Sequence, residues 1–382
     1  MKRLIALLLV FWVYAFAGVS QAAVVTKMYE VSLPVLDQDK AIRNAAFEQA
    51  FIQVLVRVTG SSMVPAQLDI KQAPRYVAQY RYTALETTQV KQETPDQAPV
   101  TVANYDLWIQ FNEAAIKKLL KDNELPLWGK QRPSVLVWLV VRDGRNRYVL
   151  RAKDYSSIKE VVEKEAQRRG LPLLWPAYDD QDKKLLGFAD IWGGFWEPVM
   201  QASQRYGVDA VLVGRMNWVN AGWQVDWSLK MGGRVQSWHL NAPDLAVVMG
   251  SGIDVATDQI ANRFAVQEGI SDEGELLVQV KGIGDVEAYS RSIHYLQSLA
   301  MVRTVYPRTV ANDVVDFHVD VSGNREDLKR IIGLGDTLVA DPMPAKPTPV
   351  ASADTAGGNP GSSNTGIQPQ TVPQAIHYHL KP

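Results

Sequence analysis

The spacing of apolar residues predicts a strand followed by a helix near the start of the chain. Apolar and polar positions alternate over Tyr29–Val35, which is the period of a strand with one buried face. From Asp39 to about Val58, apolar residues recur at i, i+4 spacing, which predicts a helix with one buried face. Gly60 follows, and glycine favours the left-handed turn that ends many helices. The first unit is therefore predicted to begin with a β-α pair.

Two further patterns predict a second β-α pair and then a buried strand. Apolar residues alternate over Tyr105–Phe111, and Asn112 is suited to cap a helix over Glu113–Lys121. The run Val135–Val141 is apolar throughout, which is typical of a strand covered on both faces. We therefore expect this run at the centre of a sheet.

Residues 134–270 have the pattern of a second α/β unit. The predicted elements are helices over Ser157–Arg169, Trp196–Tyr206 and Asp254–Phe264, with strands over Ala210–Gly214 and Trp223–Leu229. A loop is expected around Asp179, Asp180 and Asp182. Residues 274–340 then follow the order β-α-β-β-α-β of the ferredoxin-like arrangement. The fold class is therefore α/β or α+β, with two to three small mixed domains over residues 23–133, 134–270 and 274–340.

Residues 341–382 differ in composition from the rest of the chain. They are rich in proline, glycine, serine and threonine, so they cannot bury enough apolar area to offset the entropy of ordering. We predict a disordered tail. Within it Ile376, Tyr378 and Leu380 alternate with histidines, which allows a strand that adds to the sheet edge of a partner. A frayed chain end is the favoured interpretation of this short segment.

Residues 1–22 have the pattern of a secretory signal peptide. Lys2 and Arg3 precede an apolar core, and small residues follow at Ser20 and Ala22. Cleavage is expected after Ala22 or Ala23, which predicts a periplasmic protein without a membrane span after cleavage. The alternative, an uncleaved anchor, is disfavoured because the apolar run is shorter than the roughly 20 residues that a spanning helix needs.

Charge and cysteine content exclude several classes of partner and site. The chain has a net charge of −1 and a pI of about 6.5, so it lacks the basic surface of a nucleic-acid binder or of a polybasic membrane-binding protein. It contains 0 cysteines, which excludes disulfides, thiolate metal ligands and cysteine nucleophiles. The apolar core must therefore hold the fold together.

Three segments carry a resemblance to a known family: Leu55–Gly60, Arg169–Pro176 and Tyr206–Arg215. Together they resemble exported proteobacterial proteins catalogued only as a domain of unknown function. The resemblance extends to about residue 270 and implies an envelope protein without assigned catalytic residues. Tyr206–Arg215 is also similar to a helix–strand element of small periplasmic modules in envelope assembly, such as the N-terminal domain of TolB and lipoprotein activators of peptidoglycan synthases.

Histidines occur without the partners that catalysis or metal binding requires. His294 and His318 fall in a predicted helix and strand, with no evident carboxylate or hydroxyl partner. His377 and His379 share one side of an extended segment, but two histidines do not make a selective metal site. No catalytic residue, metal site or cofactor is therefore predicted.

Acidic residues cluster in the second unit, at Asp179, Asp180, Asp182, Asp190 and Glu197. A glycosidase needs two carboxylates at a set separation across a cleft, and sequence proximity does not establish that geometry. The spacing also fails the pattern of a calcium-binding EF-hand loop. A solvated loop is therefore the favoured interpretation, although a hydrolase remains a third hypothesis for the chain.

Tryptophan is abundant, with 11 residues in the chain. Trp223 and Trp227 share one face of a predicted strand with apolar neighbours, so they are expected to point into the core. Trp192 and Trp196 flank two glycines and do not lie on such a strand face. They are therefore the candidate binding residues. The leading hypothesis is a non-enzymatic envelope protein that binds other envelope proteins. The alternative is a peptidoglycan- or glycan-binding module that uses Trp192 and Trp196.

Overall fold

The computed structural model describes four stretches of the chain, which are residues 23–85, 104–267, 275–341 and 375–381. The predicted signal peptide over residues 1–22 lies outside the described residues, as does most of the predicted disordered tail. Residue 23 begins the first described strand. Within the described residues, no helix is both long enough and apolar enough to cross a membrane.

The N-terminal unit is a three-stranded antiparallel sheet with a long helix packed on one face. Its elements are β1 (Ala23–Val24), β2 (Glu30–Val35), α1 (Lys40–Thr59), β3 (Val77–Ala84), β4 (Tyr105–Phe111), α2 (Glu113–Asp122), β5 (Pro126–Leu127) and β6 (Gln131–Arg132). The sheet order is β2-β4-β3, and Phe51 and Val54 of α1 are buried against Leu107 and Ile109 of β4. Gly60 ends α1 in the left-handed conformation, at a φ of 72°, as predicted.

The second unit is a six-stranded mixed sheet with helices on both faces. Its elements are β7 (Val135–Asp143), β8 (Asn146–Val149), α3 (Ser157–Arg169), β9 (Leu173–Leu174), α4 (Asp180–Leu185), α5 (Phe188–Gly193), α6 (Trp196–Ser203), β10 (Ala210–Val219), β11 (Gly222–Met231), β12 (Arg234–Ala242), α7 (Leu245–Phe264) and β13 (Val266–Gln267). The sheet order is β12-β11-β10-β7-β8, with β9 also paired to β7. Val137 and Leu139 point towards α3 and α7, whereas Leu136 and Trp138 point towards α4–α6. The prediction of a central strand buried on both faces is confirmed.

Three predicted elements of this unit are wrong at their boundaries or in type. The last helix begins at Leu245 rather than Asp254, and the side chain of Asp244 caps it. Glycines at 250 and 252 lower the helix propensity of this segment, which hides the start of the helix in the sequence. The packing needs a glycine at 252, because a Cβ there would lie 2.8 Å from Cε2 of Trp227. The helix predicted to reach Tyr206 ends at Ser203 and continues as one 3-10 turn. The loop expected around Asp180 is the short helix α4.

The third unit has the predicted β-α-β-β-α-β order, with one more strand added. Its elements are β14 (Glu275–Lys281), α8 (Val286–Ser298), β15 (Val302–Ala311), β16 (Val314–Val321), α9 (Arg325–Ile332), β17 (Leu338–Ala340) and β18 (Ile376–Leu380). The sheet order is β15-β16-β14-β18-β17. The ferredoxin-like arrangement is therefore present, but β18 separates β14 from β17. The predicted domain boundaries at residues 133, 270 and 340 stay predictions.

Residues 376–380 correct the prediction of a frayed end. They form β18, which is parallel to β14 and antiparallel to β17. Ile376, Tyr378 and Leu380 are all buried in the core of the third unit, because their alternation places one face of the strand inward. The alternating pattern predicted a strand, but its partner is the chain's own sheet rather than that of another protein.

Three arginines lie buried where the N-terminal unit meets the second unit. They are Arg57, Arg132 and Arg169, and the side chains of Arg132 and Arg169 are fully buried. Arg132 also stacks on the indole of Trp128, with its guanidinium carbon 3.9 Å from the ring centroid. Burial and the neighbouring arginines lower the pKa of the Arg132 guanidinium. The acceptors of its hydrogen bonds are the main-chain oxygens of Arg57, Trp128, Gly129, Arg169 and Gly170.

Among the described residues, carboxylates form ion pairs with one member of this arginine cluster, Arg169. Arg169 lies 2.8 Å from the carboxylate of Asp254 and forms a second ion pair with Asp258, both on α7. The Arg169 side chain also donates to the main-chain oxygen of Gly60, at 2.7 Å. The cluster therefore ties the end of α1 to α3 and α7, and thereby joins two units of the protein.

Candidate functional site

An open groove lies beside β8 and the start of α3, with a volume of about 1030 Å³. Four basic residues line it against a single acidic one, Asp154. The basic residues are Arg147, Arg151, Lys153 and Lys183. Three tyrosines and a phenylalanine also line it, at Tyr148, Tyr155, Tyr178 and Phe188. We call this concavity the basic groove.

Local sequence explains how the groove is built. A tight turn at Gly144, with a φ of 57°, returns the chain from β7 into β8, the short edge strand of the sheet. Arg147 and Tyr148 of β8 are exposed at that edge. Ser156 caps α3 by accepting a hydrogen bond from the amide of Ile158, at 3.2 Å. The positive end of the α3 dipole therefore lies at the groove, where it adds to the basic side chains.

The positive charge of the groove is only partly neutralised within the described residues. Arg151 lies 2.8 Å from the carboxylate of Asp154. Burial would raise the pKa of this carboxyl, but hydrogen bonds from Arg151 outweigh it and hold the pKa below its usual range. Arg147 and Lys153 form no salt bridge within the described part of the chain, and Tyr155 is fully exposed. The groove therefore offers free cations beside exposed aromatic rings.

Three of the clustered acidic residues, Asp179, Asp182 and Asp190, form ion pairs or cap helices, whereas Asp180 and Glu197 are exposed. Arg205 bridges Asp179, at 2.7 Å, and the fully buried Asp182, at 3.2 Å. The Tyr206 hydroxyl donates to Asp182, and burial with this hydrogen bond raises the pKa of Tyr206 to about 12. Asp190 accepts from the amide of Gly187 at the start of α5. The hydrolase hypothesis predicted carboxylates facing a cleft, whereas these carboxylates are bound to arginine, tyrosine and the main chain.

Asp179→Asn is expected to make stability less sensitive to acid. Hydrogen bonds from Arg205 and from two main-chain amides lower the pKa of Asp179 from 3.8 to about 2. The unfolded chain therefore binds more protons than the folded chain between these values, so the stabilisation present near neutral pH is lost as the pH falls from about 4 to 2. The Tm of the variant should lie below that of the parent near neutral pH, and the difference should shrink towards pH 2.

Thermal unfolding followed by circular dichroism measures this convergence. Asp180→Asn is the matched control, because the neighbouring Asp180 is 94% exposed and lies 3.7 Å from Lys183. We expect little change in Tm for the control at any pH. A difference between parent and Asp179→Asn that does not depend on pH would contradict the role of this carboxylate.

Trp192 and Trp196 lie on the surface of the α5–α6 corner, but their rings are already in contact with other side chains. Trp192 stacks on Phe188, with 5.5 Å between centroids, and the Arg142 guanidinium lies 4.7 Å from its ring centroid. The Lys230 ammonium lies 5.4 Å from the ring centroid of Trp196. Their role in binding stays a prediction. The exposed aromatic residue of this corner is Phe195, at 60% exposure.

The other tryptophans and histidines considered in the sequence analysis lie as follows. Trp227 is buried and Trp223 packs against the same core, so the inward orientation of this strand face is confirmed. The expectation that no carboxylate lies near His318 is wrong, because its Nδ1 lies 3.3 Å from Glu275 on the neighbouring strand, although this nitrogen has no hydrogen-bond partner among the described residues. His294 likewise has a hydroxyl partner in Ser290, at 3.1 Å. Within the described stretches, no three histidine, aspartate or glutamate side chains are grouped as metal ligands would be.

The basic groove was not predicted from the sequence. The signal was present as a dense run of basic residues and tyrosines between Arg142 and Tyr155. Lys183 and Tyr178 join this run only through the fold, because the loop before α4 lies against the segment after β8, where the amide of Ala152 donates to the main-chain oxygen of Pro176. The sequence therefore indicates one part of this surface. It does not show that a second, distant segment completes the groove.

The N-terminal unit matches a known protein family. Residues 22–129 match the family "Domain of unknown function (DUF8605)". The prediction of a family without assigned function is confirmed over this range, which includes Leu55–Gly60. The match does not reach Arg169–Pro176 or Tyr206–Arg215, although the resemblance was expected to extend to about residue 270. The curated proteins contain no match to this chain.

Three solved structures show weak similarity to the chain. The N-terminal domain of Protein Y from Thermus thermophilus has 10% identity and a TM-score of 0.18, covering 35% of this chain and 98% of its own. TolB from Acinetobacter baumannii has 12% identity and a TM-score of 0.21, covering 41% of this chain and 33% of its own. An uncharacterized protein has 11% identity and a TM-score of 0.15, covering 35% of this chain and 98% of its own. These similarities are too weak to establish a common fold.

Proposed function

We propose that this chain is a non-enzymatic, exported envelope protein that binds an acidic segment of another envelope protein in the basic groove. The observation that carries the proposal is the groove itself, with four basic side chains against one acidic one. The chain as a whole has a net charge of −1, so this local surplus of positive charge stands out. The pattern of residues 1–22 supports export to the periplasm.

The chemistry of the lining favours a peptide as the occupant. Tyrosines present a large apolar ring and a polar hydroxyl at low cost in side-chain entropy, which suits them to protein interfaces. The arginines can bind carboxylates with two parallel hydrogen bonds. In addition, β8 is an edge strand, and an extended peptide can pair with such an edge through its main chain. Acidic side chains on that peptide would then face Arg147 and Lys153.

A direct binding assay with defined probes tests this chemistry. The probes are a fluorescein-labelled peptide rich in aspartate and glutamate, and the same peptide with asparagine and glutamine in their place. We expect the mature chain to raise the fluorescence anisotropy of the acidic peptide only, and added salt to weaken the binding because surface charges are screened. Equal binding of both peptides would contradict an electrostatic groove.

Charge reversal locates the binding surface. Arg147→Glu with Lys153→Glu is expected to reduce binding of the acidic peptide severalfold or more, because it removes both free cations of the groove. The matched control is Lys40→Glu with Lys164→Glu, which makes the same change in net charge at two exposed positions outside the groove. If the control variant loses as much affinity as the groove variant, net charge explains the binding and the groove does not.

The same two variants distinguish partners in the cell envelope. A photo-crosslinker in place of the exposed Tyr155 should capture a protein through an acidic segment, and the capture should fall with the groove variant only. No captured protein above background would count against the proposal. Cosedimentation with purified sacculi that is lost when Trp192 and Trp196 are both replaced would instead support the glycan-binding alternative. The amino-terminal sequence of the mature protein checks export, with Ala23 or Val24 expected first.

A further inference from the structure

The last strand of the third unit fills an interior position of the sheet that the remaining elements do not require. The order β14-α8-β15-β16-α9-β17 already supplies the complete ferredoxin-like set, in which the fourth strand lies antiparallel beside the first. Here β18 lies between those two strands, with Val278 opposite Ile376 on one side and Leu338 opposite Leu380 on the other. The space between β14 and β17 is therefore a binding slot for one strand, and we refer to it as the strand slot.

The strand slot binds its occupant through both main chain and side chains. Ile376, Tyr378 and Leu380 are 5%, 2% and 3% exposed, so all three anchor side chains are enclosed by the core. On the opposite face, His377 lies 2.9 Å from the side-chain oxygen of Gln279. The outer neighbour β17 has only three residues, so it covers the occupant over a short length. The buried side chains fix the register of a strand held in this way. On the β17 side, however, main-chain pairing covers only three residues.

The connection that brings β18 to the slot is much longer than the geometry demands. Ala340 of β17 pairs with Tyr378, and the amide of Asp341 donates to the main-chain oxygen of His377, so the two strands run side by side like a hairpin. A hairpin needs a connection of only about two to five residues. Residues 341–375 supply about 35 residues, which can span on the order of 100 Å when extended.

We infer that the strand slot is an exchange site, in which the segment Ile376–Leu380 of one copy of this chain occupies the slot of a second copy. The same segment fits the same slot in either copy, so the swapped arrangement keeps every contact that anchors Ile376, Tyr378 and Leu380. The advantage of the chain's own strand is its effective concentration, which falls roughly as the −3/2 power of the length of the connection. A connection of this length therefore lets the strand of a second copy compete.

Cysteine crosslinking tests exchange directly, because the natural chain contains 0 cysteines. Gln279 and His377 are opposite each other in the register of β14 and β18. One preparation of the mature chain carries Gln279→Cys and a second carries His377→Cys. After the two are mixed, incubated and oxidised, exchange places the two thiols on adjacent strands, where a disulfide forms between chains. We expect a covalent dimer of the two chains on a non-reducing gel.

Two controls show whether the crosslink reports on the strand slot. Gln279→Cys mixed with His379→Cys is displaced by two residues, since His379 is opposite Lys281, and should give severalfold less dimer. Adding Tyr378→Ala to the His377→Cys chain removes an anchor and should lower the yield severalfold. A single chain with both Gln279→Cys and His377→Cys should form an internal bridge, which confirms that the strand is seated.

The outcomes separate exchange from its absence. Dimer that depends on register and on Tyr378 supports the inference. An internal bridge in the doubly substituted chain without dimer in the mixture overturns it, because the slot then accepts only its own strand. Equal yields for the in-register and displaced pairs overturn it as well, because they report random collision. The absence of any bridge in the doubly substituted chain removes its basis, since β18 would not occupy the slot.

Discussion

Arg132→Met is expected to lower the free energy of unfolding by about 3–5 kcal/mol, because it leaves several buried carbonyl groups without a donor. The Arg132 side chain is fully buried. Its guanidinium donates to the main-chain oxygens of Arg169 and Gly170 at 2.9 and 2.8 Å, and to three further carbonyls from the end of α1 and the segment before β7. Methionine fills much of the same volume but donates no hydrogen bond.

Urea unfolding followed by tryptophan fluorescence measures the effect, since Trp128 stacks directly on this arginine. The matched control is Arg145→Met in the exposed turn between β7 and β8, where a change within about 0.5 kcal/mol is expected. Arg132→Lys should fall between the two, because one ammonium cannot reach all the acceptors that the forked guanidinium reaches. If Arg132→Met unfolds at the same urea concentration as the control, the carbonyls are satisfied in another way.

The size of this effect depends on which groups accept hydrogen bonds from the buried arginines. Arg169 has two carboxylates on α7, but Arg57 and Arg132 are held by main-chain oxygens. Carbonyl groups that converge on one guanidinium cannot be satisfied by water once the junction is closed. The cluster therefore specifies how α1, α3 and the start of the second unit come together, in addition to any stability that it provides.

Elements with strong local signals were predicted correctly. The run Val135–Val141 is apolar throughout and rich in β-branched residues, which is typical of a strand covered on both faces. Helices α1 and α3 both end at glycines in the left-handed conformation. The cap of α2 by Asn112 is also local, because the side chain accepts from an amide three residues later. In each case the residues that decide the structure are neighbours in sequence.

Elements decided by distant contacts were missed. The strand β3 is exposed over most of its length, so no apolar alternation marks it. The strand β18 carried a strand pattern, but its position depends on the slot formed by β14 and β17, which lie far away in sequence. The basic groove was missed for the same reason, since it combines the β7–β8 hairpin with residues before and within α4. Periodicity identifies elements, but it does not show which surfaces meet.

Gly60→Ala is expected to be the second strongly destabilising change, with a loss of about 2–5 kcal/mol from strain and overpacking together. Gly60 has a φ of 72°, a conformation that costs alanine about 1 kcal/mol relative to glycine. A Cβ at this position would also meet the side chain of Ala261 and lie 2.5 Å from Cε3 of Trp128. Since neither neighbour is the free end of a flexible side chain, the helix α1 and the second unit would have to move apart.

Gly144→Ala separates the two contributions to this loss. Gly144 has a φ of 57°, so alanine meets the same backbone strain there, but no atom lies within 4 Å of the added Cβ. We expect a loss of about 1 kcal/mol for this control, from the backbone alone. The difference between the two variants in urea unfolding then measures the crowding at the junction of the units. Equal losses in the free energy of unfolding would mean that the junction accommodates the added methyl group. Gly60 would then be required only for its backbone conformation.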